Sequence, residues 1–261
     1  MGWLADRRLP AFLRAPVYRA YARQFRVDLD EMRDPLASYP TFTDFFVRHL
    51  KPGARVIDAD PASIVSPVDG TVQTLGPVER GQILQAKGRA YALAELLGDA
   101  ANQVDLDGGF AWTIYLSPRD YHRIHSPVDA QLTRVEWLPG ERYSVAPKVL
   151  ERRAVLSINE RAVLTLQCER CTLYLVLVGA LNVGRIKVVG VEQPRTGPVA
   201  TRLAFARGAE LARFEMGSTI VLVAPPGFVV ADTELAPGDT VKLGRTLGRF
   251  EARQVARAPS A

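Results

Sequence analysis

Beyond Ile64 the apolar residues of this chain come in runs no longer than a β-strand, each closed by a turn. Phe110, Trp112, Ile114 and Leu116 alternate with Ala111, Thr113 and Tyr115, the period-two pattern of a strand with two distinct faces. Residues 162–167, 173–178, 186–191 and 219–224 also predict strands. Asp107-Gly-Gly109, Pro139-Gly140, Pro225-Pro-Gly227 and Pro237-Gly-Asp239 supply turns between them. A short helix over 91–97, closed by Gly98, interrupts the pattern. Strands joined by turns of this length pair antiparallel.

The first 55 residues read differently. Phe12, Leu13, Val17, Tyr21 and Phe25 recur at helical spacing with Arg19, Arg23 and Arg26 between them, which predicts an amphipathic helix started or kinked at Pro16. It suits either packing on its own domain or lying on anionic lipid. Thr41 and Asp44 form an N-cap signal for a second helix over 42–50, ended by Pro52-Gly53. The expected architecture is α+β, N-terminal amphipathic helices over 1–55 followed by a mainly antiparallel β core of barrel-sandwich type over 56–261.

With 261 residues, 48% hydrophobic and 23% charged, the chain can bury a sizeable core. No apolar stretch approaches the roughly 18 residues of a spanning helix, and arginines break up every candidate signal sequence. The two cysteines, Cys168 and Cys171, make no disulfide framework, so a reducing, cytosolic setting is expected. The net charge of +5 is mild. Basic residues are not interleaved with aromatics outside the first helix, so no nucleic-acid partner is expected.

Ser66-Pro-Val-Asp-Gly70 recurs as Ser126-Pro-Val-Asp-Ala130, either a duplicated β unit or a favoured turn used twice. The tail from Pro237 to Gly248 resembles the strand-turn-strand of barrel-sandwich modules of the lipoyl type, without their cofactor-bearing Met-Lys-Met tip.

Few residues can carry chemistry. Ser218 stands in Phe214-Glu-Met-Gly-Ser-Thr219, just before an apolar run. A serine hydroxyl needs a base within hydrogen-bond reach and an acid to orient that base. The candidate bases are His122 and His125 of Tyr121-His-Arg-Ile-His-Ser-Pro127, which share a face if 119–124 forms a turn or short helix. The candidate acids are Asp69 and Asp129. A rival reading joins His122 and His125 to Cys168 and Cys171 as a tetrahedral zinc site. A second rival is a non-catalytic, membrane-associated barrel-sandwich binding module.

These motifs, in this order, resemble the phosphatidylserine decarboxylase proenzymes. Tyr39-Pro-Thr-Phe-Thr-Asp-Phe-Phe-Val-Arg-His-Leu-Lys-Pro-Gly-Ala-Arg55 is similar to that family's N-terminal signature, and Val178-Gly-Ala-Leu-Asn-Val-Gly-Arg-Ile186 to its Val-Gly-Ala-Thr-x-Val-Gly-Ser-Ile motif. Met216, Leu181 and Arg185 depart from the family's Leu, Thr and Ser. The resemblance implies self-cleavage between Gly217 and Ser218, with Asp69 orienting His125, and His125 taking the Ser218 proton. Ser218 then becomes a covalent pyruvoyl cofactor that holds phosphatidylserine as a Schiff base, and His122 protonates the product carbon after CO2 is lost. It further implies that the two fragments stay associated, that the enzyme can form a homodimer, and that it is peripheral on the cytoplasmic face of an anionic membrane.

Overall fold

The structure is a computed structural model that describes residues 5–86, 89–180, 185–215 and 218–251. Helix α1 spans Ala11–Phe25, α2 Phe42–Phe46, α3 Leu93–Leu97 and α4 Pro147–Leu150. The strands are β1 Ser63–Val65, β2 Gly70–Pro77, β3 Gln82–Ala86, β4 Arg89–Ala92, β5 Phe110–Leu116, β6 Arg123–His125, β7 Ala130–Leu138, β8 Arg161–Gln167, β9 Thr172–Gly179, β10 Ile186–Val188, β11 Val199–Phe205, β12 Glu210–Phe214, β13 Ser218–Ala224, β14 Val229–Ala231, β15 Thr240–Val241 and β16 Thr246–Phe250. The α+β class and antiparallel core are as expected.

An open eight-stranded antiparallel sheet, in the order β11-β7-β8-β9-β13-β5-β2-β15, forms the centre. Ile220, Leu222 and Ala224 face a core closed by the small sheets β1-β16-β14 and β10-β12-β6. Val221 and Val223 face the other way, against Leu93, Leu96 and Leu97 of α3 and Leu150 of α4. Every residue of β13 is therefore buried, which is why its sequence is continuously apolar rather than alternating.

The repeated Ser-Pro-Val-Asp turn is a duplicated unit. Ser66 Oγ and Ser126 Oγ each donate to the valine carbonyl two residues on, both at 2.7 Å. Asp69 Oδ1 accepts from the Leu243 N–H and Asp129 Oδ1 from the Arg207 N–H, both at 2.9 Å. Strands β1 and β2 pair with β16 and β15 as β6 and β7 pair with β12 and β11. The copies clasp each other, the His125 N–H donating to the Pro67 carbonyl and the Val65 N–H to the Pro127 carbonyl. Gly244 and Gly208 take equivalent places with φ of +91° and +79°, where a side chain would be strained.

Helix α2 begins with the expected cap, a reciprocal pair between Thr41 and Asp44, but ends at Phe46 rather than Leu50. The Val47 carbonyl is taken by Arg123 Nε at 2.8 Å, and Leu50 bridges to Met32. Residues 91 and 92 belong to β4, so the helix expected over 91–97 starts at Leu93. In α1 the apolar stripe divides. Tyr18 and Ala22 are buried and Tyr21 packs on Phe42, whereas Phe12, Leu13 and Val17 face outward beside Arg19 and Arg23.

Candidate active site

Ser218 opens β13 and pairs with Leu116 of β5 on one side and Gly179 of β9 on the other. It is fully buried, and among the described residues its Oγ has no hydrogen-bond partner. A buried hydroxyl without a partner is costly, typically by about 1–3 kcal/mol, and each such group calls for an explanation. The cleavage partner Gly217 and the neighbouring Met216 lie outside the described residues, as does Leu181.

The histidines arrive on the chain that leaves β5. After Leu116, a turn closed by Ser117 and Asp120 leads to Tyr121 and His122 and then into β6. The segment is extended rather than helical, so His122 and His125 do not share a helical face. His122 Nδ1 lies 2.8 Å from the Asp120 carbonyl, so Nδ1 carries the proton and Nε2 the lone pair. Nε2 is buried without a partner. Its ring lies 4.2 Å from that of Phe46, and the His122 carbonyl accepts from the Phe214 N–H, four residues before Ser218. Burial lowers the His122 pKa to about 3; the imidazole is neutral at physiological pH.

His125 Nδ1 lies 2.7 Å from the Gly208 carbonyl, which leaves Nε2 to accept from the Tyr121 hydroxyl at 3.1 Å. Burial lowers its pKa, and the Gly208 hydrogen bond opposes that shift. Both histidines are thus held as neutral bases with Nε2 free of a proton.

Asp69 is buried at the apex of its turn, and its partners are not the histidines. Arg55 clamps it from Nε at 2.8 Å and Nη2 at 2.5 Å while reaching Glu31 from the other edge of the guanidinium. Among the described residues no hydrogen bond joins Asp69 to His125, or His125 to Ser218. The link from Asp69 to His125 runs through the backbone, because the His125 N–H is held by Pro67 of the Asp69 turn. Gly70 is required by close approach, since a Cβ there would lie 2.5 Å from the Tyr115 carbonyl oxygen. The other candidate acid, Asp129, is exposed in the second copy of the turn.

A cleft of about 220 Å³ opens beside this loop, lined by Arg48, Arg55, Asp69, Tyr121 and Lys242 among others. Arg55, Arg48 and Tyr121 were not singled out from the sequence. The first two lie inside the quoted N-terminal signature and Tyr121 begins the histidine motif, but no spacing rule points to their contacts. Arg185 is occupied by Asp6 at 2.5 Å and Glu215 at 2.6 Å.

The structure does not assemble the four zinc candidates. Cys168 and Cys171 sit 3.8 Å apart, Sγ to Sγ, in the turn joining β8 and β9. Gly179, at the other end of β9, is the residue paired with Ser218. The histidines belong to the Ser218 end, a strand length of roughly 25 Å away. Among the described residues no group of three or more His, Cys, Asp or Glu side chains is placed to hold a metal ion.

Comparison with known proteins bears on the same residues. The family model described as phosphatidylserine decarboxylase matches residues 42–249. A phosphatidylserine decarboxylase proenzyme of Xanthomonas axonopodis pv. citri (strain 306) is 43% identical over 238 residues, covering 87% of this chain and 85% of the relative. The proenzyme of the same name from Myxococcus xanthus (strain DK1622) is 40% identical over 248 residues, 92% of this chain and 89% of the relative. The matched region contains Asp69, both histidines and Ser218, and the chain belongs to the phosphatidylserine decarboxylase family, whose members are carboxy-lyases.

Proposed function

We propose that this enzyme cuts itself between Gly217 and Ser218, converts Ser218 to a pyruvoyl group, and decarboxylates phosphatidylserine to phosphatidylethanolamine. The observation that carries the reading is the buried, unpartnered Ser218 Oγ at the head of the central strand, beside a loop of two neutral histidines. The family match supports it, as does the name of the relatives, which are proenzymes.

In maturation the Tyr121 hydroxyl gives up His125 Nε2, which then takes the Ser218 proton, and Oγ attacks the Gly217 carbonyl. The peptide bond becomes an ester. Elimination frees the Gly217 carboxylate and leaves dehydroalanine at 218, whose hydrolysis releases ammonia and gives the ketone. Asp69 orients His125 through the Pro67 carbonyl, the turn being pinned by Arg55 and the Leu243 N–H. The residues fit the group they would form: Ser218 supplies its carbons, water supplies its ketone oxygen, and the position is buried at the head of the central strand.

The pyruvoyl group supplies the carbonyl that captures the substrate amine and the sink for the electron pair left when CO2 departs. His122 is the group proposed to deliver the proton to the substrate α-carbon, from a buried Nε2 that no described residue occupies.

Residues 1–55 serve as the membrane-docking region and 56–261 as the catalytic one. The outward face of α1, with Phe12, Leu13 and Val17 beside arginines, supports a peripheral enzyme on the cytoplasmic face of an anionic membrane. No helix among the described residues is long and apolar enough to cross a membrane.

Intact mass under denaturing conditions tests the reading. Two fragments divided at Gly217–Ser218, the smaller reactive with borohydride, are expected for the native chain and one uncut chain for Ser218→Ala. A native chain that stays whole and releases no CO2 from phosphatidylserine vesicles would sink it.

A further inference from the structure

Arg48 is the unusual cation of the cleft. It is 3% exposed, yet among the described residues it makes no ion pair. Its Nη2 donates to the Arg119 carbonyl at 3.1 Å, its guanidinium lies 5.8 Å over the Phe45 ring, and its Nε has no partner. Burying a charge without a counter-charge costs several kcal/mol, so such a group persists where an anion is expected to arrive.

The carboxylates around it are committed elsewhere. Glu31 and Asp69 bracket Arg55, and Lys242 Nζ lies 3.8 and 3.7 Å from the same two groups. Asp120 accepts from the Ser117 N–H and hydroxyl, and Asp28 caps the Asp30 N–H. Arg48 is left as the buried charge of the cleft without an acidic partner.

The cleft also adjoins the reacting groups. Tyr121, which lines it, hydrogen-bonds to His125, and the Asp120 carbonyl holds His122. Two residues that line the cleft are thus direct hydrogen-bond partners of the two imidazoles.

We propose that this cleft is an anion subsite in which Arg48 receives the phosphodiester of the serine headgroup. The assignment of that headgroup rests on the decarboxylase reading; the anion site itself rests on Arg48. A planar guanidinium matches two phosphate oxygens at once, which an ammonium cannot do.

Calorimetric titration of the uncut full-length Ser218→Ala protein separates the two. Glycerophosphoserine is expected to bind saturably and at least about tenfold more tightly than inorganic phosphate, with Arg48→Gln weakening it at least about tenfold. Arg48→Lys, which keeps the charge, should fall between and serves if Arg48→Gln fails to fold. Undiminished binding by both variants, or no binding by the parent, overturns the subsite. Inorganic phosphate binding as tightly as glycerophosphoserine overturns the headgroup assignment and leaves a free-phosphate site. CO2 release from phosphatidylserine vesicles by the native enzyme is measured alongside. Its absence with Arg48-dependent binding intact would strike the decarboxylase reading alone, whereas its presence with Arg48-independent binding would strike the subsite alone.

Discussion

The rings of Phe46 and His122 lie 4.2 Å apart, tilted by 45°, and join the N-terminal helices to the histidine loop. The joint is broad. Tyr21 of α1 donates to the Pro118 carbonyl, Arg48 to the Arg119 carbonyl and Arg123 to the Val47 carbonyl. The segment with the outward apolar face thus packs directly against the turn that presents the proposed proton carrier.

Phe46 is 3% exposed, so its truncation acts on both packing and chemistry. Phe46→Leu removes the ring but keeps most of the volume and should cost about 1–1.5 kcal/mol. Self-cleavage, which uses His125, should proceed to completion, while kcat falls several-fold at nearly unchanged KM because His122 loses the ring that orients it. Fragment analysis and steady-state kinetics check this. A kcat equal to that of the native enzyme would show that Phe46 serves only the core.

His122 gives the fold a pH dependence whose sign is fixed. Its folded pKa is about 3 and its ordinary value is 6.5. Between these values the unfolded chain binds a proton that the folded chain does not, so stability is complete above about pH 6.5 and is lost as pH falls towards 3. The slope is on the order of 1 kcal/mol per pH unit. His125, shifted in the same direction by burial, adds to it. Urea midpoints of Ser218→Ala at pH 7.5, 6 and 5 should decline, and less steeply when His122→Asn is added. Parallel curves for the two proteins would contradict the buried neutral imidazole.

Much of this arrangement was legible in the sequence, and the remainder was hidden for physical reasons. Strand runs such as 219–224 announce themselves because a sheet covered on both faces demands continuous apolar residues. The Ser-Pro-Val-Asp repeat leaves two readings open, and matched contacts such as those of Asp69 to Leu243 and Asp129 to Arg207 identify a duplicated unit. The end of α2 was misplaced because a residue 76 positions away, Arg123, takes the Val47 carbonyl. The candidate residues Asp69, His122, His125 and Ser218 were named from motif order. Motif order carries no distances, and the clamp of Asp69 by Arg55 has no periodic signal.

That clamp has a testable energetic consequence. The Arg55 and Asp69 side chains are 7% and 3% exposed. Removing one partner of a buried pair strands the other charge and typically costs about 3–5 kcal/mol. In the Ser218→Ala background, Arg55→Met should destabilise by that order, and Arg55→Met with Asp69→Asn by clearly less than the sum of the two single changes. In the native background Arg55→Met should also slow self-cleavage, since the turn that carries Pro67 loses its anchor. Additive denaturation energies would mean that the two side chains are not coupled.

The outward face of α1 exposes Phe12, Leu13 and Val17 beside Arg19 and Arg23, and it can be altered without touching the core. Phe12 is 77% exposed and Leu13 and Val17 are each 39% exposed, so replacing them should change stability by no more than about 0.5 kcal/mol. Each apolar side chain inserted at a lipid interface contributes on the order of 1–2 kcal/mol. Phe12→Ser with Leu13→Ser should therefore weaken binding to vesicles containing anionic lipid by at least about 30-fold, with the melting temperature held. Arg19→Gln with Arg23→Gln should weaken it less, and chiefly at low salt, because arginines attract the surface through a screened field. Sedimentation with vesicles at two ionic strengths distinguishes the contributions. Since α1 donates from Tyr21 to the Pro118 carbonyl, the serine pair should leave turnover of a short-chain, micellar substrate unchanged while lowering turnover on vesicles. Equal binding of the serine pair and the native protein to vesicles would remove α1 as the docking element.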